Sequence, residues 1–197
     1  MLFRSPLPAQ GELHEDPRAA FGREQGSGEP GGRGTGPRLP SLGLLGHDAL
    51  MRAAGPRVFG TVSPAPIRRM DRCAEPSPTN WGAPLDASHP CAQYRPVVAA
   101  EGSLTVMGGR GQGVLLIPGD AVFRSAARYY GWIVVGGDLE ITDGSEIYGF
   151  VRVRGSVLVR GGSRIAGSAC AVLFALDAAR KLRSPVSIPG GAWPDSH

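Results

Sequence analysis

From Gly113 to Ala166 the sequence repeats with a fixed period of 18 residues: GVLLIPGDAVFRSAARYY (113–130), GWIVVGGDLEITDGSEIY (131–148) and GFVRVRGSVLVRGGSRIA (149–166). Glycine opens each unit at Gly113, Gly131 and Gly149, and a second glycine recurs at Gly119, Gly137 and Gly155. Gly167 stands where a fourth unit would begin. A period this short leaves few choices of fold. One such unit cannot bury an apolar face alone, so successive units must stack and cover one another.

Numbered from the opening glycine, position 5 of the unit holds Ile117, Val135 and Val153, and position 11 holds Phe123, Ile141 and Val159. Position 17 holds Tyr129, Ile147 and Ile165. Bulky residues thus recur every six residues without a slip. Positions 3 (Leu115, Ile133, Val151) and 9 (Ala121, Leu139, Val157) add a second apolar residue two places earlier, which is the period of a strand. Three sides of six residues predict an all-β fold, a short triangular parallel β-solenoid whose like residues form continuous columns. Residues 96–112 read as an earlier turn, one residue short, with Val98, Leu104 and Val106 in the columns, giving about four turns. Glycine at the corners supplies backbone conformations that side chains disfavour, and Asp120 and Asp138 are expected to hydrogen-bond locally in those turns.

The rest of the chain divides around this repeat. Residues 1–70 read as a long disordered, low-complexity arm, most clearly at GREQGSGEPGGRGTGPRLP (22–40), where little apolar surface offsets the entropy of ordering. Within it, Leu42, Leu45, Ala49 and Leu50 mark a short helix expected to form only transiently. Residues 71–95 form a Cys-bounded loop, 96–167 the solenoid, 168–184 a capping helix and 185–197 an extended tail. The helix, predicted over 169–183 with Ser168 as its cap, carries an apolar stripe of Val172, Leu173, Leu176 and Ala179. It is expected to lie over the last turn with Cys170 buried or half-buried beneath it, and Trp193 to pack back onto the coil.

Cys73 and Cys91 leave three readings open: a disulfide if the chain is exported, two free thiols, or a zinc site shared with His89. No run of eighteen apolar residues exists, so no membrane span is expected. The net charge of +4 is almost wholly arginine, Lys181 being the one lysine, and identifies no partner.

Catalytic chemistry finds little to use. The six-residue spacing raises the hexapeptide acyltransferases, but acyl transfer needs a base, and His14, His47, His89 and His197 all fall outside the coil. Gly108 to Gly113 lacks the lysine and Ser/Thr of a P-loop and opens no helix. No catalytic, cofactor or metal residue is therefore assigned. The candidate interaction surface is the corner that carries Tyr130, Trp132, Tyr148 and Phe150, either an exposed docking patch or a face covered by the 72–96 loop. Arg152, Arg154, Arg160 and Arg164 stud the third unit; they form a solvated face or a charge patch for an anionic polymer, with no nucleic-acid motif beside them. The reading is a non-enzymatic module with protein partners or self-association.

The order CAEPSPTNWGAP…HPC…YRPVV, then GSLTVMGGRGQGVLLIPGD, YYGWIVVGGDLEI and the CAVLFAL helix followed by Trp193 resembles the C-terminal part of PilX-like, minor-pilin-like pilus-assembly proteins. The resemblance covers about residues 72–193, and GGRGQGVLLIPGD (108–120) is its most specific stretch. It implies a cell-surface or periplasmic assembly role and supplies no catalytic or cofactor residue. Such proteins begin with a hydrophobic prepilin-type helix, and residues 1–70 carry no such stretch. A looser resemblance to bactofilins implies a cytoplasmic scaffold that polymerises through its coil ends.

Overall fold

Each 18-residue unit closes one turn of a parallel solenoid. The structure, a computed structural model, describes residues 37–40 and 46–178. Its elements run α1 (His47–Ala53), β1 (Arg57–Val62), β2 (Arg68–Arg69), β3 (Arg72–Cys73), β4 (Val97–Met107), β5 (Arg110–Ile117), β6 (Ala121–Arg124), β7 (Arg128–Val135), β8 (Leu139–Ile141), β9 (Glu146–Val153), β10 (Val157–Val159), β11 (Arg164–Ala166) and α2 (Ala169–Ala178). One side stacks the second half of β4 on β6, β8 and β10; β5, β7 and β9 continue through two further sides, and β11 ends the last. All these pairings are parallel. The register is the sequence period: Leu115 lies on Ile133 and Ile133 on Val151, while Phe123 lies on Ile141 and Ile141 on Val159.

The predicted columns form the interior. Leu115, Ile117, Phe123, Tyr129, Ile133, Val135, Leu139, Ile141 and Ile147 belong to one core cluster, with Val98, Leu104 and Val106 contributing from the first turn. The two glycine columns serve different needs. Gly131 has φ +139° and a Cβ there would stand 2.1 Å from the Gly113 carbonyl oxygen, so both conformation and space require glycine. Gly137 needs only space, since a Cβ would meet Asp120 Oδ1 at 2.1 Å. That contact corrects the expected role of the aspartates. Asp120 Oδ1 accepts from the Asp138 N–H at 2.9 Å and Asp138 Oδ1 from the Ser156 N–H at 2.6 Å, so they bridge successive coils instead of closing their own turns.

A second core lies outside the coil. Val114, Leu116 and Val134 point away from the interior and are covered by Leu39, by Leu50 of α1 and by Ala175 of α2. The expected arm over 1–70 is therefore corrected from residue 46 onward. Leu50 is fully buried, so α1 is docked, and β1 runs parallel to β4, placing Val58 and Val62 against the first turn of the interior. The driving force is the apolar outer face of β5 and β7, which a lone transient helix would leave in water. Residues 1–36 and 41–45, with Leu42 and Leu45, lie outside the described residues.

The C-terminal helix forms with the expected cap, Ser168 Oγ accepting from the Ala171 N–H at 3.3 Å. Its position differs from the expectation. α2 packs along the outer flank on β5, β7 and β9, burying Ala175, while Leu173 is 64% exposed and Cys170 is exposed. The flank already offers an apolar surface, so the helix covers that rather than the end of the last coil. The continuation to residue 183, the tail and Trp193 lie outside the described residues.

Candidate functional site: an aromatic corner and an uncovered coil end

β7 and β9 bend at Gly131 and Gly149, and the residues flanking each glycine project outward at that corner. Tyr130 therefore stacks on Tyr148, ring centres 5.1 Å apart and planes within 5°, and Trp132 tilts over Phe150 at 5.3 Å. Both readings of this patch hold in part. Tyr130, Trp132 and Tyr148 are half-buried and Phe150 is exposed. The Cys-bounded loop and the start of α2 rise on either side of the tyrosines and leave a cleft of about 460 Å³. Pro84, Leu85, Tyr130, Tyr148 and Phe174 line it, and the Arg95 guanidinium lies 4.8 Å over the Phe174 ring.

Charge is organised just beside the rings. Glu146 takes Arg128 Nε at 2.9 Å on one oxygen, in ion-pair geometry, and Arg164 at 2.9 Å on the other. Arg164 also donates to the Tyr148 hydroxyl and lies 5.3 Å over its ring. The bond to Tyr148, and then the Glu146 charge, raises the pKa of Arg164. Burial, and then neighbouring Tyr148, raises that of Tyr130. Arg160 pairs with Glu140, its Nε at 3.2 Å. Arg154 is exposed and Arg152 half-buried. The four arginines thus stand on one coil without forming one cluster, Arg160 and Arg164 being held by acids of the coil above.

The Cys-bounded loop plugs the first coil. Cys73 and Cys91 are joined as a disulfide, S–S 2.04 Å, which removes both thiolates a zinc ion would need. His89 Nδ1 instead accepts from the Cys91 N–H at 3.0 Å. Trp81 enters the interior edge-on to Tyr129, ring centres 6.1 Å apart, and its Nε1 donates to the Pro78 carbonyl at 2.7 Å. Gln112 holds the plug: its N–H donates to the Trp81 carbonyl at 2.8 Å, and its Nε2 donates to the carbonyls of Ala92 and Tyr94 at 2.9 and 3.0 Å. The glycine-rich Gly108–Gly113 stretch is thereby a docking seam, and a Cβ on Gly111 would stand 2.8 Å from the Trp81 ring.

Family models, curated proteins and solved structures give no match to this chain. Its chemistry has to be read from its own groups. The carboxylate at the cleft, Asp86, accepts from the Ser88 hydroxyl at 2.7 Å, and that bond holds its pKa below the usual carboxylate range. His47 accepts from the Leu39 N–H, so both described histidines are engaged with backbone away from Cys170. The site offers ring faces, an apolar cleft and, among the described residues, β10 and β11 paired on one side only, which are recognition elements.

The sequence places the aromatics and arginines and puts Leu50 on a short helix, but does not give the packing roles of Trp81, Gln112 and Leu50. Only the last had a usable signal: VLLI (114–117) and WIVV (132–135) are apolar on both strand faces, which calls for cover on the outside as well.

Proposed function

We propose that this protein is a non-enzymatic structural module of an extracytoplasmic assembly, of the pilus-associated, PilX-like kind that residues 72–193 resemble. The observation that carries the reading is the unequal treatment of the two coil ends. At the first end Trp81 of the disulfide-tethered loop, Val58 and Val62 are buried in the interior, whereas in the last coil Val151, Val153, Val157 and Ile165 are only partly buried among the described residues. A Cys73–Cys91 disulfide supports an oxidising compartment, and a lone open end supports attachment to something larger. A scaffold that polymerises head to tail stacks open core on open core, so the plugged interior of the first coil weighs against the bactofilin-like alternative.

The test is fractionation of the producing cell with thiols alkylated at lysis, followed by cross-linking. The expected result is a chain in the periplasm or on the surface, oxidised at Cys73 and Cys91 and cross-linked to filament components. A reduced cytoplasmic chain, or acetyl-CoA binding by calorimetry, overturns the reading.

A further inference from the structure

Resting on that structural reading, we propose that the edge of the last coil, uncovered among the described residues, is an acceptor for an extended, acidic, alternately apolar strand of a partner protein. Three independent observations converge on this edge.

The first is unpaired backbone. Among the described residues β10 pairs only with β8 and β11 only with β9. Such a row of free N–H and C=O groups templates another strand. The second is apolar surface continuous with the core. Val151, Val153, Val157 and Ile165 are only partly buried against the interior and Val159 is 41% exposed, whereas their counterparts one coil earlier are buried in the interior.

The third is the sign of the charge, coil by coil. Residues 131–148 carry Asp138, Glu140, Asp143 and Glu146 and no lysine or arginine; residues 149–166 carry Arg152, Arg154, Arg160 and Arg164 and no acid. Oppositely charged layers therefore stack, and ion pairs run between them from Glu140 to Arg160 and from Glu146 to Arg164. Glu146 already shares its carboxylate between the arginines above and below it, Arg128 and Arg164. The layer that completes the pattern beneath the arginine coil is acidic. Ser156 adds a backbone acceptor in the same column, since at the far end of that column Ser103 Oγ accepts from the Asp120 N–H at 3.0 Å.

A second copy suits this edge poorly. At the first end the outermost strand, β1, carries Arg57 and no acid, and joining two last coils would oppose arginine to arginine, so neither pairing supplies the acidic layer. Because exposed pairs contribute little energy, the arginines select the partner while apolar contact and backbone pairing hold it.

The probe is a synthetic peptide of residues 131–148, the acidic layer, titrated into the full chain by fluorescence anisotropy. A second peptide carries lysine at all four acidic positions. Binding of the first should be at least tenfold tighter, weaken with salt, and protect amides of β10 and β11 from hydrogen exchange. Arg154→Glu should reduce that preference severalfold, with Arg154→Gln between it and the parent and both melting like the parent. Equal binding of the two peptides, or no binding, overturns the proposal. So do edge amides already slow in the dilute free chain, which would assign the edge to the chain's own terminal residues. Protection that grows with protein concentration alongside a sedimenting dimer would assign it to a second copy. A chain that stays in the surface assembly yet takes neither peptide sinks this inference alone.

Discussion

Asp138 lies one coil beneath Asp120 and donates its backbone N–H to the Asp120 carboxylate at 2.9 Å. The same relation recurs from Ser156 to Asp138, so these side chains add to the backbone bonds that fasten coil to coil at this corner. Asp120→Ala should lower stability by about 1 kcal/mol, the size of a lost hydrogen bond near water. Asp120→Asn keeps an acceptor and should lose less. Urea unfolding followed by far-UV circular dichroism separates the two.

Glycine columns give a second contrast. Gly162→Ala meets open space at φ +73°, so it should cost about 1–2 kcal/mol of conformational strain. Gly131→Ala adds a clash with a backbone oxygen that has no room to retreat. It should disrupt stacking of the coils on either side, and thermal melts of the two variants should differ widely.

Placement in the columns predicts opposite outcomes for two aliphatic residues of neighbouring coils. Ile147→Asp puts a lone charge in the dry interior and should cost several kcal/mol, enough to unfold the domain. Leu158→Asp, on the exposed outer face of β10, should stay within about 0.5 kcal/mol of the parent. A nearly unchanged melting temperature for Ile147→Asp would falsify the inward column.

The interior was legible in the sequence because a solenoid repeats its constraints: each column residue is restated every 18 positions, and a slip in any unit would show. The covers were not. Trp81, Leu50 and Ala175 each occur once and pack through tertiary contact, so no period announces them. The helix illustrates the limit. Ser168 correctly marked its start, but an almost uniformly apolar run, ACAVLFALDA, does not say which side it buries, and Leu173 proved exposed where Ala175 is covered. For the site, residue types at the corner were readable, whereas the ion pairs of Glu140 and Glu146 needed the coil register.

Tyr129 predicts an alkaline transition. Its hydroxyl is buried without a hydrogen-bond partner among the described residues, and burial raises its pKa above the ordinary 10.0. The folded state therefore keeps a proton that the unfolded state gives up. Its stabilisation is complete below pH 10 and declines as pH rises beyond that toward the folded value. Tyr129→Phe removes the ionisation and should shift the alkaline unfolding midpoint upward while leaving neutral-pH stability equal or higher, as read by fluorescence across a pH series.

Replacing Cys73 and Cys91 together by serine should lower stability by about 3 kcal/mol in the chain-entropy account, given 18 residues of separation. Dithiothreitol should reduce the melting temperature of the parent but not of the double variant. Trp81→Ala should cost about 3–5 kcal/mol by emptying the plug.

The unbroken register of 18 also sets the quantum in which this chain can change length. An insertion of any other size within a strand shifts the aliphatics after it out of their columns until a corner absorbs it, as the first turn does at an offset of 17, whereas excising 131–148 would join Tyr130 to Gly149 with all columns intact. Such a deletion would bring the four arginines of the last coil beneath Arg124 and Arg128, with the acids between them gone. Geometry permits growth or loss by whole coils; charge order decides which coil may be copied or dropped.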